Sequence, residues 1–140
     1  TGGWARHVFY DTGGDGMFAV WDIHDDEIGD DFPTAISTGI GLPSWVNHLA
    51  FTARDEAELD AARDRWLACG YDVVEIDHGW CRSIYVEDPG GTTVEWCLST
   101  RELDDDDARE AERLLHAEVP ELSGIEPDIT VHVAAEWARS

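Results

Sequence analysis

GWCRSIYVEDPGGTTVEWCL, residues 79–98, decides how this chain folds. CRSIYVE and TTVEWCL are rich in β-branched and aromatic residues. Between them DPGG (88–91) supplies turn chemistry, because Pro89 fixes its φ and the glycines accept positive φ. The pair reads as a hairpin. Alternation along the second strand puts Thr93, Glu95 and Cys97 on one face and Val94, Trp96 and Leu98 on the other. Both faces are largely apolar, so Glu95 is expected to be shielded from water and to need a cation, a metal or a proton.

Upstream, VNHLAFT (46–52) alternates with His48 and Ala50 on one face, and reads as a strand. Asp55, three residues before Glu58, opens a helix over about 55–69, with Leu59, Ala62, Trp66 and Cys69 at helical spacing and Gly70 as its stop. YDVVEI (71–76) is a strand former and DHGW (77–80) a turn. Residues 46–98 therefore predict a βαβββ module. Beyond them, DDDDAREAERLLHAE begins with the carboxylates a helix N-terminus favours, and 99–140 is expected to hold a C-terminal helix and a tail with a short strand at 129–133.

The hairpin has an internal echo. A shift of 75 places Tyr10 on Tyr85, Gly16 on Gly91 and Trp21 on Trp96, so residues 1–23 read as the closing hairpin of an earlier module and 24–45 as a linker. His48 less 75 falls at −27, so the opening strand and helix of that first module would precede Thr1, which reads as a cut end.

Composition narrows the partners. Thirty-one acidic residues face nine basic ones, all arginine, for a net charge of −22. Such a surface repels phosphate, which disfavours nucleic acid and anionic membranes. Dense carboxylates without lysine also fit a halophilic surface whose repulsion is screened by salt. Three cysteines without CxxC spacing or a leader point to reduced thiols in a cytoplasm, and no apolar run reaches the roughly 20 residues of a membrane span.

His48 and Glu95 are the first candidates for chemistry. Each lies mid-strand and faces inward, and imidazole with carboxylate is a common metal pairing. Taken singly, His48 reads as a packed histidine and Glu95 as the partner of an arginine such as Arg82. Tyr85 reads equally as a packed aromatic or a catalytic hydroxyl. His78, in the DHGW turn, is either a solvated turn residue or a proton carrier at a cavity mouth. Cys81 and Cys97 read as small core residues, and GGDG (13–16) as hairpin chemistry. His24, His116 and His132 attract no assignment.

At this point NHLAF, the helix after it, and SIYVEDPGGTTVEWC resemble the vicinal oxygen chelate superfamily, which comprises glyoxalases, bleomycin-resistance proteins and extradiol dioxygenases. The resemblance covers 4–98 and not the tail. It implies an α+β fold of paired βαβββ modules curving around a cavity that holds a divalent metal, the first module incomplete here. By matching position it makes His48 and Glu95 metal ligands. The usual third ligand belongs to the missing first strand, leaving His7 as substitute and Asp22 as a weaker one. Glyoxalases carry a second glutamate where the repeat puts Val20. Extradiol dioxygenases match better, with a tyrosine ten residues before the glutamate, as Tyr85 stands to Glu95.

The expectation is thus a metal-dependent enzyme of extradiol-dioxygenase type acting on a small molecule with two adjacent oxygens. It would use Fe2+ or Mn2+, or else Zn2+ or Ni2+, with Tyr85 and His78 as catalytic residues, and form a homodimer. Alternatives are a glyoxalase-like isomerase, lyase or thiol transferase, and a metal-free small-molecule binding protein.

Overall fold

A computed structural model describes residues 2–29, 31–121 and 126–139; Thr1 and part of the expected tail lie outside these. The fold is α+β, with two α-helices, a five-stranded mixed sheet and a separate two-stranded one.

The five-stranded sheet grows from the stretch that decided the sequence reading. Strand β5 (Cys81–Glu87) and strand β6 (Thr93–Ser99) form the expected hairpin, with Tyr85 opposite Glu95 and Ser83 opposite Cys97. Its turn is closed by Asp88, whose carboxylate accepts from the backbone N–H of Gly90 and Thr92 while Gly91 takes φ 86°. Strand β3 (His48–Thr52) pairs parallel to β6, and strand β4 (Val73–Asp77) pairs antiparallel to β5. Helix α1 (Glu56–Ala68) crosses between β3 and β4. Asp55 caps it by accepting from the Glu58 N–H, and the Glu58 side chain reaches back to the Arg54 N–H, one residue earlier than an ideal capping box.

The core lies between α1 and one sheet face. Leu59 and Ala62 from the helix meet Val73, Ile84, Val86 and Leu98 from the sheet, with Trp66, Val94 and Trp96 packed around them. Full burial of each large aliphatic contributes roughly 1.5–3 kcal/mol, so this layer holds the sheet flat against its helix. The other face of the sheet carries no helix.

The short strand expected in the tail forms, and its location is informative. Strand β7 (Asp128–His132) adds antiparallel to the free side of β4, giving the order β3-β6-β5-β4-β7. On the helix side Glu75 of β4 receives His132 Nε2 at 2.8 Å and stands within ion-pair reach of Arg63 and Arg82. Asp72 accepts from the Ala134 N–H and pairs with Arg139. The tail therefore covers an edge that would otherwise offer unpaired backbone groups.

Helix α2 (Asp105–Leu115) forms as its acidic start predicts, with a capping box between Asp104 and Asp107, yet none of its residues is buried. Its Leu115 is 76% exposed.

Strand β1 (Gly3–Asp11) and strand β2 (Met17–Asp25) make the N-terminal hairpin, so β2 continues two residues into the expected linker. Its turn, 12–16, has the same length as 88–92, and Asp11 and Met17 correspond to Glu87 and Thr93. The backbone offset between the hairpins is therefore 87 − 11 = 76, one more than the offset that aligns Tyr, Gly and Trp. One residue reverses the faces. His7 thus corresponds to Ser83 rather than Arg82, and Glu95 to Ala19 rather than Val20.

The linker is anchored. Buried Ser37 accepts from the Asn47 N–H at 2.8 Å and donates to the Asn47 carbonyl at 3.1 Å, and Thr93 Oγ1 donates to the Ser44 carbonyl at 3.0 Å. These bonds fix the chain immediately before His48.

Candidate functional site

The helix-free face of the sheet is laid out in cross-strand rows. One row runs His48, Thr93, Glu87; the next runs Ala50, Glu95, Tyr85, Val74, Val131. His48 and Glu95 are diagonal neighbours across parallel strands, close enough for side chains to meet. His48 Nε2 lies 2.8 Å from Glu95 Oε2, while Tyr85 Oη donates to Glu95 Oε1 at 3.1 Å. His78 Nε2 completes the series, 3.1 Å from Tyr85 Oη. Four of the five residues singled out from the sequence form one connected chain, His78 to Tyr85 to Glu95 to His48.

Glu95 is 6% exposed, and both its oxygens are hydrogen-bonded. That satisfies the requirement of a buried carboxylate for partners. The partner is not Arg82, which lies opposite Leu98 on the helix side and pairs with Glu56 and Glu75. The strand alternation explains this: even-numbered residues of β5 face α1 and odd-numbered ones face the open side.

Donor and acceptor roles follow from the network. Tyr85 spends its hydrogen on Glu95, so its oxygen accepts from His78, which must carry a proton on Nε2. Burial pushes the Tyr85 phenol up to about 12, with the Glu95 charge acting in the same direction. The phenol is a neutral donor near pH 7.

Cys81 and Cys97 also stand on this open face, not in the helix-packed layer. Burial, followed by the neighbouring Cys97, raises the Cys81 thiol to about 11. It stays protonated and is no nucleophile.

Two hollows flank the His48–Tyr85 pair. One, about 350 Å³, is lined by Glu95, His78, Trp80, Cys81 and Cys97 as well as the pair. The other, about 420 Å³, runs toward Trp45, Val74, Ile76 and Glu87. Trp45 and Glu87 were not singled out in the sequence, although alternation along CRSIYVE already sets Glu87 on the face of Tyr85.

His7 lies elsewhere, on the hairpin, with its ring stacked on Trp21 at 4.0 Å and tilted against Phe9. Asp22 pairs with Arg6 and His24 on the same hairpin. Among the described residues no three His, Cys, Asp or Glu side chains gather in a group able to hold a metal. His132 and His116 are hydrogen-bonded to Glu75 and Glu112.

Among the described residues no helix is long and apolar enough to cross a membrane. Comparison with family models, with curated proteins and with solved structures returns no match for this chain.

Proposed function

We propose that this chain is a metal-dependent enzyme of the vicinal oxygen chelate type, nearest in chemistry to extradiol dioxygenases, acting on a small molecule with two adjacent oxygens. The observation that carries this reading is the approach of His48 Nε2 to Glu95 Oε2, 2.8 Å, on an open sheet face. A divalent ion bound here would take the His48 imidazole and the Glu95 carboxylate as two of its ligands.

The fit covers two ligands, and a third protein donor is not among the described residues. Bound Fe2+ or Mn2+, or alternatively Zn2+ or Ni2+, would provide Lewis acidity and a template for two substrate oxygens.

The chain's own residues do the rest. His48 offers its Nε2 lone pair after shifting or losing the proton now given to Glu95, so binding of a cation releases protons or changes the tautomer. Tyr85 is too weak an acid to act as a phenolate near neutrality. It relays instead: its oxygen takes the proton of a substrate hydroxyl as its own hydrogen passes to His78 Nε2, with His78 in its Nδ1–H tautomer for that step. His78 is exposed and returns the proton to water.

Neither Val20 nor Ala19 can be the second carboxylate of a glyoxalase, which sets the isomerase reading behind the dioxygenase one. A metal-free binding protein has a specific point in its favour, because Glu95 is already satisfied by His48 and Tyr85.

Metal analysis of protein prepared without chelator, followed by oxygen uptake with catechol, separates these readings. We expect bound metal in the wild type and its loss in His48→Ala and in Glu95→Ala. Full metal content in both variants would remove the site assignment, and a metal-free wild type that still binds small aromatics would favour the binding protein.

A further inference from the structure

We infer that the ligand of this site carries a cationic nitrogen, held between the Glu87 carboxylate and the Trp45 ring at the outer end of the larger hollow. The inference rests on the reading that the ligand's reacting end lies against His48, Glu95 and Tyr85.

Glu87 follows Tyr85 by two residues on the open face of β5, so its side chain starts about 7 Å further along the strand. It lies opposite Thr93, which in turn lies opposite His48. Among the described residues its carboxylate has no ion pair and no side-chain hydrogen bond. Eight of the nine arginines sit on acids elsewhere and Arg65 lies over Trp96, so none is left to pair with Glu87. No arginine lines the hollow.

The remaining lining sets the shape of what fits. Val74, opposite Tyr85, and Ile76, opposite Ser83, make the hollow apolar on the side of Tyr85 away from Glu87, and Trp45, 73% exposed, lines it as well. Trp45 and the free Glu87 carboxylate line one hollow, and a cation there is attracted by both, through the ring quadrupole and through charge. Asp72 also borders the hollow, but Arg139 and the Ala134 N–H neutralise it. An anionic substituent would meet Glu87 with nothing to offset the repulsion. A ring separated by a two-carbon arm from an ammonium group spans the distance from Tyr85 to Glu87.

The test uses three catechols, 4-(2-aminoethyl)catechol, 4-ethylcatechol and 3-(3,4-dihydroxyphenyl)propionate, with 2-phenylethylamine and 3-phenylpropionate as partners that lack the two oxygens. Binding is measured anaerobically by tryptophan fluorescence and calorimetry, at the lowest KCl that keeps the protein folded. We expect each amine to bind about fivefold tighter than its uncharged or acidic counterpart, and Glu87→Gln to abolish that preference while leaving 4-ethylcatechol unaffected. Glu118→Gln, at an exposed site far along the chain, changes the net charge equally and should keep the preference. An amine preference that survives Glu87→Gln, a preference for the acids, or no binding by any of the five compounds would overturn the inference. Catechols that bind without amine preference refute it while sparing the chelate reading. A preference among the phenyl compounds with no gain from the two hydroxyls supports it and refutes the chelate reading instead.

Discussion

Tyr85 and Glu95 face each other across the β5–β6 hairpin, and the phenol donates to Oε1 at 3.1 Å. Because register makes them direct partners, the bond needs no loop to position it. It couples the buried carboxylate to His78, and through Glu95 Oε2 to His48.

That relationship predicts an alkaline signature. The folded-state value of Tyr85, about 12, lies above its ordinary value of 10.0, so the folded protein holds this proton more tightly than the unfolded chain. The resulting stability is fully present below about pH 10 and is lost as pH rises through about 12. Absorbance of tyrosinate should show one of the three tyrosines titrating late, and Tyr85→Phe should remove that component. Urea melts at pH 9 and pH 11 should differ less in Tyr85→Phe than in the wild type. A late component that persists in the variant would assign the shift to Tyr10 or Tyr71.

Much of the module from 46 to 98 was readable from sequence because local and global signals agree there. Period-two alternation, a capped helix and an Asp-Pro-Gly-Gly turn each specify the same elements that packing on α1 then stabilises. The Tyr85, Glu95 and His48 part of the site was readable for the same reason, since alternation fixes faces and faces fix neighbours, whereas His78 lies in a turn where no alternation marks it. Parity along β5 puts Arg82 on the opposite face from Glu95, so alternation alone already excludes that pairing. The hairpin echo is legible in outline but displaced by one residue, because the Tyr, Gly and Trp identities align at 75 while equal turn lengths set the backbone offset at 76. What α2 packs on was not legible, since an acidic helix with a few leucines looks the same with or without a partner. Edge cover by β7 was equally hidden, because pairing of a short strand across some 50 residues leaves no local mark.

The anchor before β3 gives a second prediction. Ser37 is 1% exposed and exchanges both backbone bonds of Asn47 through one hydroxyl, at 2.8 and 3.1 Å. Ser37→Ala leaves an N–H and a carbonyl without that partner and should cost about 1–2 kcal/mol in urea unfolding. It should also weaken metal or ligand binding, since His48 is the next residue. A loss under about 0.5 kcal/mol, the range of a neutral surface change, would mean that water replaces the hydroxyl at no cost.

Salt should stabilise this fold, against the usual expectation for a chain with many ion pairs. Arginine pairs such as Arg54–Glu58, Arg101–Asp107 and Arg113–Glu110 are open to solvent, and screening weakens what they contribute. Opposing them is the mutual repulsion of a net charge of −22 spread over 140 residues. Raising ionic strength from 0.1 M to 1 M shortens the screening length from about 10 Å to about 3 Å, which suppresses repulsion among distant carboxylates more than attraction within contact pairs. The melting temperature and the urea midpoint should therefore both rise steeply between 0.1 M and molar KCl. If neither moves, the carboxylates are spaced widely enough that their repulsion never limited stability, and the missing lysines have no part in adaptation to salt.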